Sequence, residues 1–170
     1  PLPPNQTRSS LARQASYLVS GGLGGLGLAL AAALAEFGVA QVILLGRRPA
    51  DDHQRAAIDA IERRGTLVKT LACDLGEPNA SAMVGAFIAD LEPPLKGVFH
   101  LAGVMGAVEP TSNSGAVATH DFSLTLAGKL DGAWALHQAT ADCDLDHFVL
   151  FGSISALTGT PGMAAYTAAN

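Results

Sequence analysis

The sequence is short of several things, and each shortage closes off a class of protein. Its two cysteines, Cys73 and Cys143, show no CxxC spacing. That leaves no disulfide framework, and a reduced, cytoplasmic setting is the expectation. His53, His120, His137 and His147 show no HxxxH pattern either, so no metal site is expected. Only 15% of residues are charged, and the balance is acidic at −5. Nucleic acid and membrane surfaces call for basic patches, so neither is expected as a partner. The longest apolar stretch, Leu26 to Leu34, is far short of the roughly 20 residues that span a membrane, and it is studded with Gly and Ala. Aromatic residues make up just 5% of the chain.

What is present in quantity is aliphatic and small. Nearly half the residues are hydrophobic and 19 are glycine, which suits an α/β domain whose central strands are covered on both faces. Pro1 to Ser10 is polar and proline-rich, unlike a secretory signal. Residues 1–15 read as a linker, and residues 16–170 as one domain. The chain opens without Met and stops at Asn170 inside an incipient helix. The expectation is a domain cut from a longer chain and incomplete at its C-terminal end.

Strand and helix signals alternate along residues 16–170. Strands are expected at Tyr17–Val19, Gln41–Leu45, Leu67–Leu71, Gly97–Leu101 and His147–Phe151. Helices are expected at Leu26–Phe37, Asp51–Arg64, Ala80–Leu91 and, as one long element, Phe122–Thr140. Residues 104–120 show no period and read as a loop. This alternation predicts a Rossmann-type, doubly wound parallel sheet of order 3-2-1-4-5, whose ligands lie beyond the carboxyl ends of the strands.

The residues after each strand therefore carry the functional reading. Gly21, Gly22, Leu23, Gly24, Gly25, Leu26 and Gly27 follow the first strand and open the first helix. Glycine lets backbone approach a pyrophosphate, and the helix N-terminus presents free N–H groups to it. The alternative is a glycine loop of purely structural use. The second strand ends at Gly46-Arg47-Arg48, with no acid where a site preferring NAD carries one about 20 residues past the glycines. Guanidinium groups there would bind a 2′-phosphate, which favours NADPH; the alternative is two solvated loop arginines. Asp74, followed by Leu75, fits an adenine contact or a turn carboxylate. Ala102 and Gly103 would let a nicotinamide ribose pass close to backbone. His100 reads as a packed core histidine without a chemical role.

Ser153 lies just past the fifth strand, Tyr166 is 13 residues further on, and Asn170 is one helical turn beyond that. Lys129 is 24 residues before Ser153. Reduction of a ketone needs a proton donor for the developing alkoxide and a second donor to hold its oxygen. A tyrosine serves if a nearby ammonium favours its phenolate, and Lys129 is the candidate.

Seven segments, SYLVSGGLGGLG, VILLGRR, CDL, GVFHLAGV, KLDGAWALH, FVLFGSISAL and GTPGMAAYTAAN, occur in this order. Together they resemble ketoreductase domains of modular polyketide synthases and animal-type fatty-acid synthases, within the short-chain dehydrogenase/reductase superfamily. In most of that superfamily a lysine follows the tyrosine by four residues. In the synthase domains it moves to the earlier helix and an asparagine takes its place, as Lys129 and Asn170 do here. The resemblance implies that Tyr166 donates the proton and Ser153 holds the carbonyl oxygen. Lys129 would tune Tyr166, with Asn170 in support. It implies NADPH as reductant and, as substrate, a β-ketoacyl chain tethered through phosphopantetheine to an acyl carrier protein. Other synthase domains are the expected neighbours, and the long helix is a candidate homodimer contact. Ser20 stands where the family commonly has Thr. The Leu-Asp-Asp mark of one stereochemical class, which would fall at Met105-Gly106-Ala107, is absent. The tryptophan of the opposite class, which would fall at Thr158, is absent too. The alternatives are a non-catalytic nucleotide-binding or structural module of a synthase, and a free-standing short-chain reductase.

Overall fold

The computed structural model of the protein describes residues 11–103 and 119–170. Five parallel strands form one sheet: β1 (Ser16–Ser20), β2 (Gln41–Gly46), β3 (Leu67–Ala72), β4 (Leu95–His100) and β5 (His147–Leu150). Their order, β3-β2-β1-β4-β5, is the one expected. β1 pairs with β2 from Ser16↔Gln41 to Ser20↔Leu45 and with β4 from Tyr17↔Gly97 to Ser20↔His100.

Alternation along the strands sorts the core into two layers. Tyr17, Val19, Val42 and Leu44 face Ala31, Leu34 and Ala35 of α1 (Gly25–Glu36), and Ile58 and Ile61 of α2 (Asp52–Glu62). Leu18, Ile43, Leu45 and Val98 face Val84 and Ile88 of α3 (Ala80–Ala89), and Leu136 of α5 (Gly132–Ala139). β1 is buried along its whole length, because helices cover both its faces. Ahead of β1, Ala15 is fully buried while Leu11 and Ala12 pack against the first of these layers.

α2 begins where its chemistry says it should. Asp51 accepts from the Gln54 N–H at 2.8 Å, and the Gln54 side chain accepts from the Asp51 N–H at 2.9 Å. This reciprocal pair satisfies two N–H groups that the first turn leaves open.

The expected long helix over 122–140 is corrected. It starts earlier and is interrupted, running as α4 (Thr119–Leu126), a π-helical turn at Ala127–Asp131, and α5. The π turn inserts wider hydrogen bonding into an otherwise α-helical run, which occurs when outside groups compete for its backbone. Within this run, Leu136 is fully buried, whereas Trp134 is 60% exposed and lies against His137. A short helix absent from the sequence reading, α6 (Ser155–Thr158), follows β5, and α7 (Ala164–Ala169) packs against α4 and α6. None of the described helices is long and apolar enough to cross a membrane.

Candidate active site and cofactor cradle

The strand order reverses between β1 and β4, and a crevice opens beyond the carboxyl ends of those two strands. The glycine loop fills one wall. Gly21 adopts φ +67°, and a Cβ there would sit 2.9 Å from the Ala102 nitrogen. Only glycine combines that conformation with so close an approach. Gly27 has the same logic at the base of α1, since a Cβ would come within 2.4 Å of the Gly21 carbonyl oxygen. Gly22 is buried behind the loop against Leu44. Gly24 and Gly25 are exposed, and a Cβ on Gly25 would meet nothing within 4 Å.

These residues border a cavity of about 960 Å³. Gly21, Leu23, Gly24, Gly25, Leu26 and Gly27 line one side. Arg47 and Arg48, both exposed at the end of β2, line another, and Asp74, Leu75, Ala102 and Gly103 complete the wall. Of the residues expected to hold a cofactor, Gly22 alone stands back from the cavity surface and supports the turn. α1 starts at N-cap Gly24 without a side-chain cap and without an acid in its first turn. The positive end of the helix and its free N–H groups therefore face the cavity uncompensated, which suits an anionic ligand. Asp74 Oδ1 accepts from the Gly76 N–H at 3.1 Å, so this carboxylate makes the turn contact and lines the cavity as well.

One contributor was not read from the sequence. Gln54 Nε2 donates to the Leu23 carbonyl at 3.0 Å, tying the start of α2 to the glycine loop across the cavity rim. The Asp-x-x-Gln box at 51–54 marks a helix start, but its reach to Leu23 is a matter of tertiary placement.

The four residues expected to do chemistry lie on the far side of β4. Lys129 is on the π turn, and its ammonium donates to the Phe151 carbonyl at the end of β5. Its stem passes over Gly103, where a Cβ would meet Lys129 Cε at 2.7 Å. Burial pushes the Lys129 ammonium below its ordinary value, because a desolvated charge is disfavoured. Ser153 Oγ accepts from the Ser155 hydroxyl at 2.7 Å and the Ser155 N–H at 3.2 Å. Tyr166 is half-buried on α7, and Asn170 Nδ2 donates to its carbonyl at 2.8 Å. Asn170 Oδ1 is buried without a protein partner. The structure thus joins Lys129 to the end of β5, and Asn170 to Tyr166. Among the described residues no hydrogen bond links the Tyr166 hydroxyl to Ser153 or Lys129. Met105-Gly106-Ala107 lies outside the described residues.

Residues 15–170 match the family model described as the KR domain. The chain is 37% identical over 169 residues to the phthioceranic/hydroxyphthioceranic acid synthase of Mycobacterium tuberculosis, a match covering 99% of this chain and 8% of that protein. Among solved structures it resembles A-type ketoreductases from a modular polyketide synthase, with 38% identity and a TM-score of 0.83. That match covers 92% of this chain and 33% of the other. An A1-type ketoreductase gives the same TM-score at 36% identity, covering 99% of this chain and 35% of the other. The chain therefore spans about a twelfth of the synthase and about a third of each solved chain. With its sheet order, glycine cradle and this match along nearly its whole length, the chain belongs to the ketoreductase domains of polyketide synthases, within the short-chain dehydrogenase/reductase superfamily.

Proposed function

We propose that this domain reduces a β-ketoacyl thioester to the β-hydroxyacyl thioester with NADPH. The observation that carries the cofactor choice is the end of β2, where Arg47 and Arg48 border the cavity that the uncapped α1 N-terminus faces. Two guanidinium groups favour a 2′-phosphate over a bare ribose, and Gly21 to Gly27 leave backbone free for the pyrophosphate. Asp74 and Leu75 would border the adenine, and Ala102 and Gly103 the nicotinamide ribose.

When bound, the nicotinamide supplies a hydride for the β-carbon. The chain's own residues do the rest. Ser153 turns its hydroxyl to the β-carbonyl oxygen and holds it as negative charge develops. Tyr166 gives that oxygen its proton, so the carbonyl becomes a secondary alcohol. Lys129 favours the phenolate that remains, and Asn170 steadies the Tyr166 backbone. The substrate is proposed to arrive on the phosphopantetheine arm of an acyl carrier protein in a cytoplasmic synthase. The exposed Leu130 and Trp134 supply an apolar face for pairing of two copies.

A second reading, a nucleotide-binding module without turnover, draws support from the Tyr166 hydroxyl making no hydrogen bond to Ser153 or Lys129 among the described residues. NADPH oxidation with a short β-ketoacyl thioester separates the two. The proposal expects turnover that falls about 10²- to 10⁴-fold in Tyr166→Phe, with NADPH affinity unchanged. NADPH binding without turnover in the unmodified chain would favour the second reading.

A further inference from the structure

We infer that His100 is a positioning residue, which holds the π turn of Lys129 and connects it to the glycine cradle through Ser20. The inference rests on the reductase reading above, since it concerns how Lys129 is aimed.

His100 closes β4 and is 2% exposed. Both ring nitrogens are engaged. Nδ1 lies 2.6 Å from Ser20 Oγ at the end of β1, and Nε2 lies 3.1 Å from the Lys129 carbonyl oxygen. A carbonyl only accepts, so Nε2 carries the proton, and Nδ1 accepts from the Ser20 hydroxyl. Ser20 Oγ in turn accepts from the Ala102 N–H at 3.4 Å. The bonds run in one direction, from Ala102 N–H to Ser20, from Ser20 to His100, and from His100 to the Lys129 carbonyl. The Lys129 ammonium then donates to the Phe151 carbonyl. Together these bonds tie the ends of β1, β4 and β5 to the turn that bears the lysine.

The π turn is shaped to receive the ring. Gly132, where α5 begins, would place a Cβ 3.1 Å from His100 Cε1. Gly103 leaves room for the Lys129 stem, and a Cβ on Gly76 would strike Ala127 at 2.9 Å. Three glycines from three segments thus close on this one turn. A side chain bonding into a helical ladder is a recognised cause of such a widened turn. Burial, the largest cause, and the Lys129 charge hold the ring below its ordinary value, against the bonds to the Lys129 and Gly128 backbone, which favour its charged form.

Two substitutions divide the ring's functions. In His100→Gln the side-chain amide reaches the place of Nε2 and still donates to the Lys129 carbonyl. In His100→Asn the amide is confined to the place of Nδ1, so the bond to Ser20 survives and the bond to Lys129 is lost. We expect His100→Asn to lower kcat about tenfold to a hundredfold, as a catalytic group displaced by about 1 Å does, with the KM for NADPH little changed. The chain has only three lysines, Lys69, Lys96 and Lys129, so ¹³Cε labelling resolves the Lys129 titration. Its midpoint should move up toward the ordinary value in His100→Asn, and both properties should return in His100→Gln. Imidazole ¹⁵N shifts of the unmodified protein should show the proton on Nε2, a test that needs no variant. A proton on Nδ1 would overturn the inference, as would an unchanged Lys129 titration in His100→Asn. So would equal losses in the two variants that merely follow their melting temperatures. If the unmodified chain reduces no β-ketothioester, the reductase reading fails, while the Lys129 titration and the ring proton still decide the role of His100.

Discussion

The interior of the sheet and its β5 edge are built to different standards of burial. β1 and β2 lie under helices on both faces, and Leu18, Ile43 and Leu44 are fully buried. At the β5 edge, Phe148, Val149 and Leu150 are 38%, 37% and 56% exposed, and Ile154 and Leu157, at the start of α6 and within it, reach 71% and 85%. The contrast follows place in the sheet, since the β3 edge is exposed too, with Leu67 at 50%. The proposed pyrophosphate cradle is made of backbone and lies beside the packed interior. The proposed proton-transfer residues are side chains, Ser153 ahead of α6, Tyr166 on α7 and Lys129 on the π turn, and their geometry depends on how these segments are held beside β5. Lys129 is the exception on that side, because its turn is bonded to the well-packed interior through His100 and Ser20.

Three substitutions and one titration sharpen this contrast. The largest effect is expected for Gly27→Val, whose branched side chain would be driven into the Gly21 carbonyl. Overpacking of this kind costs about 1–3 kcal/mol or more, and NADPH binding should be lost with it, as calorimetry would show. Next, Arg47→Ala should weaken NADPH by about 1.5–3 kcal/mol, the worth of a charged hydrogen bond, and leave NADH affinity unaltered. Equal weakening of both cofactors would place Arg47 away from the 2′-phosphate.

A smaller effect is expected from acid. Burial holds the His100 ring below its ordinary value of 6.5. As pH drops below that value the unfolded chain takes up a proton that the fold refuses, so stability present above it declines toward the lower folded value. Thermal melts across this range should show the decline in the unmodified protein, and His100→Gln should reduce it. The smallest effect is expected for Leu157→Ala, since a side chain 85% exposed loses little on truncation. A change above about 0.5 kcal/mol would mean that α6 is held more firmly than its exposure indicates.

Much of this organisation was legible in the residues themselves. All five strands were placed to within two residues, because each is an apolar run bounded by Gly, Pro or polar residues. The cavity wall was legible for a related reason: Gly21 to Gly27 and Arg47-Arg48 are each a contiguous run just past the end of a strand. The π turn was not. Apolar spacing continues through Leu126, Leu130 and Trp134 as it would in an unbroken helix. The groups that meet the turn come from Gly76, Gly103 and His100, which are distant in sequence. α6 was missed because four residues hold no period. His100 looked like an ordinary core histidine, since its importance lies in the two partners it joins.

The central claim is hydride transfer from NADPH to the β-carbon, and isotopic labelling tests it most directly. The chain would be incubated with a short β-ketoacyl thioester and NADPH bearing deuterium at both C4 positions, and the product analysed by mass spectrometry. The account predicts a β-hydroxyacyl thioester with a single deuterium on its β-carbon. Unconsumed NADPH, or a hydroxyl product without deuterium at that carbon, would contradict it.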